Sequence, residues 1–373
     1  MLICTGLGRV NRGFEQYIGS LAGKLADTGK RVMVASGGSW PQPVNVESIV
    51  LRTPHRDSRF LRGSKSAFIR EQQFFALALV PSLLKYKPSV VYLGEYRLYC
   101  YLYKLRSLLG LNFSLCLYTG GQAIPGAKVF DASRDYVHHI TPAYLPQCGN
   151  LPAYKQVVLP HFIHDDFVTD PDKETWLRQK AGQKKIVLSV GLLDTRVKQM
   201  HFIAEALGSE PEKWFPILLG APCEETPMLK AIFTEKFGAD GFLMEAVPHP
   251  ALSAYYRTAH VFVSCSPRES FGLAMVEALY HGLPVVAHDF FETKWVLENQ
   301  ATLVDVTNVP LLLKSIGKVV MNDDSERREK RINFAHSRYG WAALCNSYHS
   351  FFLAMTQQIN VQIPAEANRG GIL

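Results

Sequence analysis

The 373-residue chain lacks paired cysteines, long apolar runs, sequence repeats and low-complexity segments. Its seven cysteines (Cys4, Cys100, Cys116, Cys148, Cys223, Cys265, Cys345) stand singly, with no C-x-x-C pair and an odd total. That excludes a disulfide framework, offers no zinc spacing and indicates a reducing compartment. The longest uncharged apolar stretch of the N-terminal half, FFALALVPSLL over 74–84, has eleven residues and a proline, against the roughly 20 that a bilayer requires, so no transmembrane span is expected. The first residues read directly as a strand and a glycine loop, so no secretory leader is expected and the expected location is cytoplasmic, at most peripheral on the inner face of a membrane. With no helix-turn-helix, zinc or RNA-recognition pattern, nucleic acid is not an expected partner.

Acidic residues are also scarce, but only in one half. Residues 1–160 hold 19 basic against 8 acidic side chains, an excess of eleven, whereas 161–373 hold 21 against 25. The net charge of +7 therefore belongs to the first half, which suits a surface facing something anionic: a membrane, an acidic acceptor, or simply solvent. The basic stretch Arg56, Arg59, Arg62, Lys65 and Arg70, interleaved with Phe60 and Phe68, would rest on an anionic bilayer or grip an acidic acceptor if helical, but Pro54 and Gly63 favour an irregular loop. At 47% hydrophobic and 20% charged residues the composition is that of a globular protein, long enough for two domains.

Short apolar runs alternate with amphipathic stretches. Strands are expected at Leu2–Thr5, Arg31–Ala35, Ser89–Leu93, Asn112–Tyr118, Lys185–Val190, Pro216–Leu219, Val261–Ser264 and Pro284–Ala287, with helices between them such as Phe14–Thr28 and Phe271–Tyr280. This βα repetition predicts an α/β fold with parallel sheets. It restarts at 185–190, after the polar, proline-bearing segment LPHFIHDDFVTDPDKETW, so the domains are set at 1–163 and 164–337, with a terminal helix over 338–355 and a flexible tail over 356–373.

The densest motif is SPRESFGLAMVEALYHGLPVVA over 266–287. Glu269 sits in the loop before a helix and Glu277 within it, so both can face whatever occupies the helix N-terminus, where unpaired N–H groups and the dipole suit a phosphate or diphosphate. Gly272 lets a ligand approach the backbone. Two carboxylates would repel a phosphate but accept hydrogen bonds from sugar hydroxyls on either side of a diphosphate. A second motif, GLLDTRVK over 191–198, follows a strand and places Arg196 and Lys198 at the C-terminal edge of a sheet, where open α/β folds bind ligands.

The E-x7-E spacing of Glu269 and Glu277 and the surrounding ESFGLAMVEALYHGLPVVA resemble the donor-site segment of retaining GT-B glycosyltransferases of family 4, the glycosyl transferases group 1. The resemblance implies a GT-B architecture: two Rossmann-like βαβ domains facing across a cleft, the first binding the acceptor and the second a UDP- or GDP-sugar. It implies a metal-independent hexosyltransferase without further cofactor that retains anomeric configuration. By this resemblance Glu269 contacts the donor sugar and Glu277 the ribose, the backbone at Ser270, Phe271, Gly272 and Leu273 cradles sugar and phosphates, and Val247 lies at the nucleotide. Gly191 and Lys198 match the family's G-R-x5-K pattern, whose cations neutralise the departing diphosphate. Leu192 stands at the usual arginine, so Arg196 is expected to substitute. The loop GLGRVNRGFE over 6–15 is not G-x-G-x-x-G and gives no dinucleotide fingerprint. It is similar to the family's G-G-x-E loop, with Gly13 and Glu15 matching and Arg12 in place of the first glycine, and Arg12 is then expected at phosphate or an anionic acceptor.

The acceptor side is less complete. YTGGQ over 118–122 and DYVHHITP over 135–142 match loosely, His161, Phe162 and His164 depart from the interdomain pattern, and neither Glu95 nor Gln122 is the histidine that many relatives carry near the donor sugar. The expected acceptor is a saccharide or lipid-linked saccharide. Two rivals stand beside this reading: a nucleotide-sugar-binding protein without transferase activity, and a nicotinamide-dependent oxidoreductase, which the missing glycine fingerprint disfavours.

Overall fold

The computed structural model describes residues 1–10, 13–62, 66–120, 130, 131, 133–148 and 152–359. The chain divides into two compact units, one of residues 1–161 and 345–373, the other of 162–344. The first contains β1 (Leu2–Cys4), α1 (Gly13–Ala26), β2 (Val32–Ser36), β3 (Val46–Val50), α2 (Ala67–Tyr86), β4 (Val90–Leu93), α3 (Tyr96–Leu108), β5 (Ser114–Thr119), β6 (Tyr136–His139) and β7 (Gln156–Val158). The second contains α4 (Pro171–Ala181), β8 (Lys185–Val190), α5 (His201–Leu207), β9 (Trp214–Leu219), α6 (Thr226–Phe237), β10 (Leu243–Glu245), α7 (Leu252–Thr258), β11 (Val261–Ser264), α8 (Leu273–Tyr280), β12 (Val285–His288), α9 (Phe291–Leu297), β13 (Ala301–Val304), α10 (Val309–Met321) and α11 (Ser325–Tyr339). The last helix, α12 (Trp341–Gln357), runs through the division at 344/345.

Each unit is built on one parallel sheet, in the orders β3-β2-β1-β4-β5-β6-β7 and β10-β9-β8-β11-β12-β13. In both, the order reverses beside the first strand: β1 pairs with β2 on one side and β4 on the other, and β8 pairs with β9 and β11. Parallel strands covered on both faces read as near-continuous apolar runs, which is why the buried centres of KIVLSV, VFVS and VVAH stand out in the sequence. Ligands in such folds bind outside the carboxyl ends of the strands at the reversal point, and this positions the candidate site.

The first unit carries a buried ion pair. Arg106 of α3 and Asp135 are both essentially unexposed, joined by two hydrogen bonds of 2.5 and 3.0 Å. Tyr99 and the Leu115 amide also donate to Asp135, so the carboxylate is fully satisfied in the core. The residues of α12 after the division pack in this same unit: Tyr348 receives a hydrogen bond from Tyr17 and donates to the Pro160 carbonyl, and Ser114 and Tyr136 donate to the carbonyls of Met355 and Ala354.

Helix α2 begins only at Ala67, and Arg56, Arg59 and Arg62 lie in turns before it, so the basic stretch is irregular rather than helical there. Lys65 lies outside the described residues, as do Arg12, Gln122 and residues 360–373 of the expected tail. Five strands escape the sequence reading. β3, β10 and β13 are short with mixed polarity, β7 has three residues, and β6 (YVHH) is interrupted in hydropathy by two histidines that are nevertheless buried.

Candidate functional site

Two loops meet where the second sheet reverses. The loop after β8 begins at Gly191, and a Cβ there would come within 2.9 Å of the Lys198 Cε, so the glycine leaves room for the lysine stem to fold back across it. Asp194, 3% exposed, shapes the turn by accepting from the amides of Val197 and Lys198 at 3.0 and 2.6 Å. The loop after β11 carries Glu269. The structure joins the two: Lys198 Nζ bonds to Glu269 Oε1, and the Ser266 hydroxyl donates to the same oxygen at 2.8 Å. A half-buried cation and carboxylate are thus held as a pair, each open to a competing partner.

Just beyond them α8 starts. Gly272 is its N-cap at φ +80°, a left-handed conformation, and a Cβ on it would collide with the Met275 methyl. It provides no side-chain cap, so the first amides of the helix are left for a ligand. Ser270, Phe271 and Leu273 surround this turn, and Phe271 is buried edge-on against the Tyr339 ring at 5.5 Å.

Glu277, in the second turn of α8, is 4% exposed and bonded on both oxygens: His249 Nε2 lies 2.9 Å from Oε1, and the Tyr256 hydroxyl donates to Oε2 at 2.9 Å. His249 reaches Asp166 through its other nitrogen at 3.1 Å. Burial alone would raise the Glu277 carboxyl, but the hydrogen bond and charge of His249 outweigh it, and its pKa lies below the usual value. Burial alone would lower His249, and Glu277 and Asp166 reverse that, so its pKa is raised. His164 stands 5.4 Å from His249, ring to ring, buried and with neither nitrogen hydrogen-bonded. Its pKa is lowered, chiefly by burial.

Of the residues singled out in the sequence, Lys198, Glu269 and Gly191 are brought together, and Ser270, Phe271, Gly272, Leu273 and Glu277 share the start of α8. Val247 lies in the loop after β10, two residues before His249. Arg196 is directed elsewhere: its guanidinium pairs with Glu225, which also accepts from Thr195, and its side chain is 80% exposed. Leu192 is partly exposed. In the first unit Gly13 opens α1 with nothing within 4 Å of where its Cβ would lie. His138 and His139 are buried core groups, bonded to Tyr92 and the Leu159 carbonyl and to Thr119 and Gln156, with burial lowering their pKa to about 3 and about 4. Asp166, His249 and Tyr256 were not found by sequence reasoning, since they act from other segments and no local spacing links them to α8; Asp194 and Ser266 lie within the two motifs, and only the structure shows that they position Lys198 and Glu269.

Glu95 occupies the corresponding reversal point of the first sheet, at the end of β4. Its Oε1 accepts from the Thr5 amide and hydroxyl of the β1 loop at 3.2 and 2.7 Å. Burial raises its pKa, and the charge of Glu15 adds to this. Among the described residues no group of three or more His, Cys, Asp or Glu is arranged to hold a metal ion, and no helix is long and apolar enough to cross a membrane.

Comparison with known proteins places this geometry. Residues 172–338 match the family model described as glycosyl transferases group 1. A D-inositol 3-phosphate glycosyltransferase of Corynebacterium efficiens is 28% identical over 178 residues, which are 45% of this chain and 42% of that protein. The chain therefore spans less than half the length of that curated relative. Among solved structures, a sucrose-phosphate synthase from Thermosynechococcus elongatus superposes with a TM-score of 0.79 at 18% identity, covering 95% of this chain and 98% of that one. HepE of Anabaena in complex with UDP and glucose gives 0.70 at 16% identity, with 95% and 98% covered. The two parallel-sheet, Rossmann-like units have the GT-B fold of these neighbours, and the match to the glycosyl transferases group 1 model falls within the second unit.

Proposed function

We propose that the protein is a retaining, metal-independent glycosyltransferase of family 4, moving a hexose from a UDP- or GDP-sugar to a hydroxyl of a saccharide or lipid-linked acceptor. The observation that carries this reading is the Lys198–Glu269 pair at the reversal point, inside the segment that matches the glycosyl transferases group 1 model, with Glu277 on the helix that follows. The binding of UDP-sugar by a neighbour of the same fold supports the donor class.

In this scheme the donor exchanges the partners of the pair. The β-phosphate takes Lys198 and the amides of Phe271 to Leu273, a sugar hydroxyl donates to Glu269, and Glu277 accepts from the ribose. The bond from the anomeric carbon to the phosphate oxygen breaks and that to the acceptor oxygen forms on the same face, while the hydroxyl proton passes to the departing phosphate. Removing a preorganised cation aimed at developing charge costs about 3–4 kcal/mol. Arg196 contributes to the diphosphate only by leaving Glu225, so it is the lesser cation. A peripheral position on an anionic membrane, facing the cytoplasm, is supported by the outward face of α2, where Phe74, Leu77 and Leu84 are exposed between Arg70 and Lys85.

The test is a screen of UDP- and GDP-sugars for nucleotide release, with and without anionic vesicles, on the parent protein and Lys198→Ala. Release from at least one sugar nucleotide, reduced in the variant by about 100-fold or more, is expected. Nucleotide binding without turnover of any donor would favour the rival binding-protein reading, and equal turnover by the variant would refute the assignment of Lys198.

A further inference from the structure

The second unit has a cavity that the donor site does not use. It measures about 920 Å³ and lies where α8 ends at Tyr280, roughly 10 Å along the helix axis from its first turn. Its walls come from three segments: Asp165 from the stretch before α4, Tyr280 from α8, and Asn333, His336, Ser337 and Trp341 from the junction of α11 with α12. Asp165, Asn333, His336 and Ser337 are all exposed, so a ligand reaches the cavity directly from solvent. The walls are fixed. The Ile163 amide donates to the Tyr339 carbonyl at 2.8 Å and the Val168 amide to that of Pro250 at 2.9 Å, which pins the stretch carrying Asp165 at both ends. Trp341 meets the Phe162 ring edge-on at 4.9 Å. A Cβ on Gly340 would come within 2.5 Å of the His336 carbonyl oxygen, so the glycine lets α11 turn tightly into α12. A preformed cavity of this volume, part aromatic and part polar, is of the kind that holds a small molecule.

The lining decides the chemistry of the ligand. Among the described residues it holds no lysine or arginine, and its one carboxylate is that of Asp165, so it suits neither a phosphate nor a nucleotide. A cage for a cation needs open aromatic faces. Tyr280 is already in contact with the rings of His336 at 4.2 Å, His281 at 5.4 Å and Phe167 at 6.0 Å. Phe334 is likewise covered, by Tyr339 edge-on at 6.0 Å and by the Arg338 guanidinium at 6.0 Å. What the cavity offers instead is hydrogen-bond donors and acceptors intermixed. The Asn333 amide and the Ser337 hydroxyl stand one turn apart on α11, and His336 lies between them in sequence. Asp165 is near enough to the Tyr280 hydroxyl for its charge to add to the burial that raises that hydroxyl's pKa. Beside these groups Trp341 supplies an apolar wall. A saccharide has both matching features, an apolar C–H face and a hydroxyl edge.

We propose that Asp165, Tyr280, Asn333, His336, Ser337 and Trp341 form a binding site for an uncharged saccharide, apart from the donor site. Asp165 and Asn333 take its hydroxyls, and the face of a pyranose ring packs on Trp341. The site stands whether or not the chain transfers a hexose.

The experiment is saturation-transfer NMR on the full chain with maltose, cellobiose and lactose, each with and without saturating UDP, and with choline and glucose 6-phosphate as charged probes. Binding of at least one disaccharide is expected, unchanged by UDP and tighter than that of either charged probe. Asp165→Ala and Asn333→Ala, both at exposed positions where the fold tolerates them, should weaken it about tenfold and about threefold and leave UDP binding as it was. The proposal is overturned if no disaccharide binds, if UDP displaces the one that does, if choline or glucose 6-phosphate binds more tightly, or if both variants bind as the parent does. Should UDP itself fail to bind, the donor reading falls and the two variants alone decide for or against this site.

Discussion

The most searching perturbation of the donor side is His249→Phe. Phenylalanine preserves the ring that packs 5.0 Å from Phe167 and 5.4 Å from His164, but removes both hydrogen bonds. Glu277 would keep only the Tyr256 hydroxyl, in a position that is 4% exposed. A hydrogen bond to a charged group contributes about 1.5–3 kcal/mol, so stability should fall by roughly that amount, and affinity for UDP or GDP about tenfold as Glu277 loses its fixed orientation. The pH dependence sharpens the test. The pKa of His249 is raised above its ordinary 6.5, so its contribution is complete below that value and lost as pH rises through the folded-state pKa. That of Glu277 is depressed below 4.5, so its contribution is complete above that value and lost as pH falls through the folded-state pKa. The stability difference between parent and variant should therefore be largest between about pH 4.5 and 6.5 and shrink as pH rises through the raised pKa of His249. Urea denaturation across that range measures it, with nucleotide titration in parallel. A stability difference that grows as pH rises above about 6.5, or a variant that binds nucleotide as the parent does, would refute the reasoning.

Three further outcomes follow from the geometry. Gly272→Ala, forced to φ +80° and against Met275, should cost about 1–3 kcal/mol by urea denaturation and weaken nucleotide binding, and an unchanged denaturation midpoint would contradict the left-handed cap. Asp135→Ala leaves Arg106 charged and buried without its partner and should cost about 3–5 kcal/mol, so a loss below about 1 kcal/mol would show that water reaches the arginine. Arg196→Ala removes an exposed ion pair and should alter stability by less than about 1 kcal/mol and nucleotide release far less than Lys198→Ala does; equal losses of release would mean that the arginine leaves Glu225 during turnover.

The parts of the fold legible in the sequence are those whose chemistry is local. β8 and β11 were bounded to the residue, because a parallel strand buried on both faces is a continuous apolar run. β6 was not, since Tyr136–His139 reads as polar and its histidines are neutralised by burial and by partners on neighbouring strands. The candidate site divides the same way. Glu269 and Glu277 are legible together because one loop and helix carry both. Lys198 and Glu269 are 71 positions apart and meet only because β8 and β11 are neighbours at the reversal point. The partners of Glu277 were invisible: His249 and Tyr256 lie 28 and 21 positions before it, Asp166 acts only through His249, 83 positions away, and no periodicity relates them to α8. Charge misled in one respect, since Arg56 was read as part of a basic stretch facing a membrane, an acidic acceptor or solvent and instead pairs with the buried Glu71 carboxylate.

Because α12 belongs to the second unit up to Leu344 and to the first from Cys345 onwards, the first unit is discontinuous in sequence. During synthesis its sheet emerges from the ribosome early, but Tyr17, Ser114 and Tyr136 must wait for the last helix before they find Tyr348, Met355 and Ala354. The residues of the second unit end at Leu344, before those partners are made, so it can fold while the first unit is still incomplete. A fragment ending at His161 would therefore be an open core rather than an isolated domain, and a nonsense codon in the last helix would damage the beginning of the protein more than its middle.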